Sequence, residues 1–135
     1  MQIAFIVEGP FVSRGIVDWA EAKMKGMDYE EWQVRFSKTL SELEEKNDLE
    51  SALREKSRKL EINISVYGSS RSVVRLDLDN IAKTIFDNIT KTLFPKERGK
   101  STPNWEDSHF WKTTVIKCID DIRPRLEISI LDFTS

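Results

Sequence analysis

The chain predicts a small α+β domain, and three observations lead there. Stretches of period-two hydrophobicity alternate irregularly with stretches of helical period; the length is 135 residues; and 39% of the residues are hydrophobic. That length suits a single compact domain over residues 1–135, with a core that needs no covalent staples. The expected architecture is a small mixed sheet of four strands with two main helices.

In Gln2 to Val7 the residues Ile3, Phe5 and Val7 alternate as one face of a strand requires, and Gly9-Pro10 ends it. Phe11 to Gly26 has no clear period and reads as a loop or a short helix. Asp28 with Glu31 three residues on forms a capping box. Trp32, Phe36, Leu40 and Leu43 continue as one helical stripe, with a break expected near Asn47-Asp48 before Leu49 and Leu53 resume it. Leu60 to Tyr67 returns to period two, with Ile62, Ile64 and Val66 inward, and Gly68-Ser69-Ser70 closes it. From Asp79, the spacing of Ile81, Ile85, Ile89 and Leu93 predicts a helix that Pro95 terminates. Lys96 to Asn104 reads as a polar loop. Two strands finish the chain, Phe110 to Ile119 and Arg125 to Phe133, joined at Asp120 to Pro124.

Composition excludes several classes. Lys and Arg number 21 against 23 Asp and Glu, a net charge of -2, so no general basic surface advertises nucleic acid. The acidic excess gathers between Glu42 and Glu55, where alternation with Lys46, Arg54 and Lys56 marks a solvated helix face. The run Ile3 to Val7 is far shorter than the ~18 apolar residues of a membrane span, and no basic residue precedes it. Neither membrane insertion nor a secretory signal is expected. Cys118 is the single cysteine and reads as a small core residue in a reduced compartment. His109 is the single histidine, which leaves little for a triad or a His-based metal cluster. Trp32 fits the core stripe; Trp19, Trp105 and Trp111 suit packing, a dimer interface or base stacking.

The chemistry concentrates in Arg75-Leu76-Asp77-Leu78-Asp79-Asn80-Ile81-Ala82-Lys83. Leu76 and Leu78 alternate with Asp77 and Asp79, so a strand-like entry would put both carboxylates on one face. If Asp79 or Asn80 caps the next helix, Lys83 stands about one turn further along. Two carboxylates, a lysine and a helix start would then share a small volume, an oxygen-rich setting that suits Mg²⁺. The same residues also fit a plain helix cap with Asp77 in a solvated turn. A second acidic pair, Glu106-Asp107, precedes a predicted strand and would help complete a metal shell.

These residues resemble the RusA-type Holliday-junction resolvases. Asp77-Leu78-Asp79-Asn80-Ile81-Ala82-Lys83, with Phe86-Asp87-Asn88-Ile89 after it, looks like that family's D-L-D-N-x-x-K segment and helix. Trp105-Glu106-Asp107 is similar to the paired acids that follow the helix. Phe5 to Arg14 is similar to the opening many members show after their first strand. The resemblance spans most of the chain. It implies a homodimer, bacterial or phage-encoded and cytoplasmic, that requires Mg²⁺ or Mn²⁺ and nicks opposed strands of a four-way DNA junction in recombination and repair. Asp77, Asp79 and Asp107 would be the metal-binding carboxylates, joined by Glu106, and Lys83 the essential basic residue. DNA phosphates would meet Arg14, Arg71, Arg75, Lys96, Arg98 and Lys100. The loop carrying the last three is either a DNA-gripping loop or an ordinary insertion. A related nuclease acting on other branched DNA, or a catalytically silent DNA-binding dimer of the same fold, are the alternatives.

Overall fold

Alternating apolar residues build three of four strands, because a period of two places every second side chain on the buried face. Strand β1 (Gln2–Glu8) buries Ile3, Phe5 and Val7; β2 (Leu60–Gly68) buries Leu60, Ile62, Ile64 and Val66; β4 (Arg125–Asp132) buries Leu126, Ile128 and Ile130. Strand β3 (Phe110–Ile119) is mostly exposed. The computed structural model describes residues 1–12, 29–95 and 109–134. The sheet order is β1-β4-β2-β3, with β4 antiparallel to both neighbours and β2 parallel to β3. Register makes the buried face continuous, since Ile128 pairs with both Phe5 and Ile64, and Ile130 with both Ile3 and Ile62.

The helices cover that face. Helix α1 (Tyr29–Glu42) buries Trp32, Phe36 and Leu40, the predicted stripe, and Glu30 and Glu31 favour its N-terminal end. The proposed cap at Asp28 lies outside the described residues, as does the 13–26 part of the expected loop. Helix α2 (Lys46–Arg54) buries Leu49, Ala52 and Leu53. The break precedes Asn47-Asp48 rather than falling on it. The amides of Leu43 and Lys46 bond back to Leu40 and Leu43 carbonyls, each at 3.2 Å, so the chain turns at Leu43. Asp48 then stands in the first turn of α2, where a negative charge is favoured.

A short helix not anticipated from the sequence, α3 (Ser70–Val73), follows β2, and α4 (Leu78–Leu93) follows it. Ile81, Ile85 and Ile89 on α4 are 0% exposed. Burial of each contributes roughly 1.5–3 kcal/mol. Across from α1, Asn88 Nδ2 donates to the Tyr29 hydroxyl at 3.2 Å and Ser37 Oγ pairs with Thr92 Oγ1 at 2.8 Å. Phe86 stacks on Phe110, with ring centroids 5.2 Å apart, which ties α4 to the start of β3. Among the described residues this is a small α+β domain with a mixed four-stranded sheet and several helices, none long and apolar enough to cross a membrane.

Strands β3 and β4 are consecutive, yet β2 runs between them. Their connection crosses the end of β2, where the Asp120 amide donates to the Gly68 carbonyl at 2.8 Å. Asp120 Oδ1 then accepts from the amides of Ile122 and Arg123 at 3.0 and 3.1 Å. The Gly9 amide reaches the Pro124 carbonyl at 3.0 Å, and its φ of 99° is one a side chain would resist.

Candidate active site

The segment from Gly68 to Lys83 carries the candidate residues. Ser69 caps α3, its Oγ accepting from the Ser72 amide at 3.2 Å. A Cβ at Gly68 would stand 3.0 Å from Ser72 Oγ and 3.1 Å from Val73 Cγ1, so glycine lets α3 fold closely onto the end of β2. The Leu76 amide bonds to the Val73 carbonyl at 3.2 Å, and the Leu76 side chain packs against the core. The chain thus enters α4 through a strap, Val74 to Asp77, and not through a strand.

That entry corrects two expectations. Asp77 occupies the N-cap position with φ -85° and ψ 135°, and its carbonyl accepts from the Ile81 amide at 3.0 Å. Asp79 lies inside the first turn, so neither Asp79 nor Asn80 is the cap, and the two carboxylates do not share the face of a strand. The reason is phase. Leu76 and Ile81 must both reach the core, and a helix beginning at Leu78 satisfies them.

The Asp77 side chain makes no capping hydrogen bond. Its Oδ2 has a long contact, 3.5 Å, from Asn80 Nδ2. Asp77, Asp79 and Lys83 are all exposed, and among the described residues Asp79 and Lys83 form no ion pair. Asp79 and Lys83 are four residues apart on α4 and therefore share a side of the helix. Val74 and Leu78, 68% and 48% exposed, give the strap an apolar border on either side of Asp77. Arg71 on α3 and Arg75 in the strap are exposed close by in the chain.

One neighbour of the strap was missed from the sequence. Lys117 on β3 pairs in register with Val66, on the inward-facing side, and its ammonium donates to the Leu76 carbonyl at 2.9 Å and the Val74 carbonyl at 3.5 Å. The available signal was parity: Thr113, Val115 and Lys117 share a face, and a lysine on the inward side of a strand must have somewhere to send its charge.

Asp77, Asp79, Lys83, Arg71 and Arg75 are therefore gathered within one segment. Arg14, Lys96, Arg98, Lys100, Glu106 and Asp107 lie outside the described residues, as do Trp19 and Trp105. His109 is buried before β3, its Nδ1 3.2 Å from the Arg58 carbonyl, and belongs to the far end of that strand. Cys118 is not a core residue; in register with Tyr67, it is half-buried on the face opposite the helices. Trp111 is exposed beneath the Lys59 ammonium, 4.3 Å from its ring centre.

Asp77 and Asp79 supply carboxylate oxygens, the donor type a hard cation takes. Exposed aspartate oxygens, not spent on capping, match the way Mg²⁺ binds through one or two carboxylates while keeping several waters. Among the described residues no three His, Cys, Asp or Glu stand together in a group able to hold a metal ion. Asp77 and Asp79 would be the two donors contributed by the strap and α4. No protein-family model matches the sequence, and no curated protein matches it.

Proposed function

We propose that this chain is a metal-dependent, structure-selective DNA endonuclease of RusA type, which works as a homodimer and resolves four-way junctions with Mg²⁺ or Mn²⁺. The observation that supports it most is the Asp77 carboxylate, at the N-cap of α4 and not used to cap it, with Asp79 and Lys83 exposed on the turns that follow. Structural aspartates at helix starts normally accept amide hydrogen bonds. Among the described residues the Asp77 oxygens meet one long contact, from Asn80 Nδ2 at 3.5 Å.

Asp77 and Asp79 would hold the cation from the protein side, with Asp107 and Glu106 as the further acids of the set. Bound there, Mg²⁺ supplies Lewis acidity toward a scissile phosphate and lowers the pKa of a water. Lys83 would donate to the charge that grows on the phosphate oxygens, an electrostatic role. Arg71 and Arg75 would meet neighbouring phosphates and fix the DNA in register. The location agrees with a general tendency: the segment leaves the carboxyl end of β2, half of the one parallel pair among the described strands, and such ends favour ligand sites. A two-fold dimer would present two such sites to the opposed strands of a junction.

The test is a nicking assay on a synthetic four-way junction and a matched linear duplex, with Mg²⁺ and with chelator. Paired nicks near the crossover, dependent on the metal and lost in Asp77→Asn and Lys83→Met, are expected. Equal cleavage of the duplex would replace junction selectivity with a broader nuclease role. Binding without cleavage under every metal condition would leave a silent DNA-binding dimer and overturn the nuclease reading.

A further inference from the structure

We infer that Lys117 is a positioning residue for the Asp77 carboxylate, acting through the backbone of the strap; the inference rests on the reading of the site given above. Lys117 stands beside Val66, a core residue 1% exposed, so its aliphatic stem runs along apolar surface while its ammonium leaves over the end of the sheet. The charge ends on two main-chain carbonyls, Leu76 at 2.9 Å and Val74 at 3.5 Å, and on no carboxylate among the described residues. Leu76 O belongs to the peptide whose nitrogen is that of Asp77. A bond to this oxygen fixes the plane of the amide from which the Asp77 side chain projects.

The strap is anchored at Val74 by its amide bond to the Ser70 carbonyl, at Leu76 by its amide bond to Val73 and by its partly buried side chain, and at Asp77 by the carbonyl bond to Ile81. Among the described residues the Asp77 carboxylate itself has only the 3.5 Å contact from Asn80. Groups that orient the ligands of a metal are typically worth about 10–100-fold in affinity or activity. Lys117 reaches from a different strand, so it also makes the geometry at Asp77 depend on the parallel pairing of β2 with β3.

The experiment compares wild type, Lys117→Met and Lys117→Arg. Three quantities are read: Mn²⁺ affinity by electron paramagnetic resonance, hydrogen exchange of the amides from Val74 to Asn80, and junction nicking. Methionine retains the stem and removes the charge; arginine retains a donor. The expected result for Lys117→Met is Mn²⁺ affinity weaker by about tenfold or more, faster exchange in the strap alone and a lower nicking rate. The melting midpoint should stay near wild type, and Lys117→Arg should recover most of the affinity. A Lys117→Met protein that binds Mn²⁺ as wild type does would overturn the positioning role while leaving the site intact. A loss of affinity matched by a general fall in melting midpoint, without recovery in Lys117→Arg, would also overturn it in favour of a structural role. Wild-type protein that binds no Mn²⁺ would overturn both readings.

Discussion

Asp120 and Asp77 each stand just beyond a strand or helix boundary, and the fold treats them oppositely. Asp120 Oδ1 accepts two backbone amides, and Oδ2 accepts from Arg125 Nη1 at 2.9 Å. The Arg123 amide, then the Arg125 guanidinium and the Ile122 amide, hold its carboxyl below the usual aspartate value near 3.8. Arg125 in turn bonds Glu127 at 2.7 Å and lies 3.7 Å from the centre of the Tyr67 ring, while Arg123 pairs with Glu8. Around Asp77 the same carboxylate chemistry meets, among the described residues, a single long contact. The Asp120 charge is saturated by partners that build the fold; open oxygens at Asp77 are what the proposed ligand role would require.

Substitutions can break that contrast, beginning with the largest effect. If Asp79 is a ligand of the proposed metal, Asp79→Asn should lower junction nicking about 100-fold or more, because such a charge would act directly on the transition state. Its melting midpoint should match wild type, since no partner is lost; a calorimetric scan beside the nicking assay checks both. Arg125→Met should do the reverse. Losing Asp120, Glu127 and the Tyr67 ring should lower the melting midpoint by a few degrees while nicking persists.

The smallest effect is one of pH. A carboxyl whose folded pKa is depressed adds stability that is fully present above its unfolded value and lost as the pH falls through the folded one. Asp120 and Glu8 are both lowered, Glu8 by its hydrogen bond from Arg123 first. Urea midpoints should therefore hold steady above pH ~5 and decline below pH ~4. In Arg125→Met the decline should be shallower; an unchanged slope would separate Asp120 from acid stability.

The sequence made the strands and the two long helices readable because each carries a single dominant period. Ile3, Phe5 and Val7 alternate cleanly, and Ile81, Ile85 and Ile89 leave no doubt about the inner side of α4. What it obscured has physical causes. Ser70–Val73 is too short for a period, and Asn47-Asp48 resembles a breaker although Asp48 favours a helix start. Cys118 was misplaced because β3 is apolar on both faces, with Ile116 and Ile119 exposed, so composition cannot say which side is buried. Asp77 and Asp79 were legible as neighbouring carboxylates but not as geometry. Their spacing suits a strand and a helix start equally, and tertiary demands on Leu76 and Ile81 decide between them. Lys117 was invisible because its partner is a backbone carbonyl on another element, which no local pattern records.

The placement of β2 between β3 and β4 has a consequence for how the molecule comes into being. Among the described strands β4 is the sole sheet neighbour of β1 and the second neighbour of β2, so none of them can pair with β1 until β4 exists. The described strands form no local hairpin, and their closing contacts join residues far apart in sequence, the circumstance that slows folding. On the ribosome the first strand must wait for the last. A chain cut short before Arg125 would lose the partner of β1 and one partner of β2 together, leaving two sticky strand edges instead of a smaller fold.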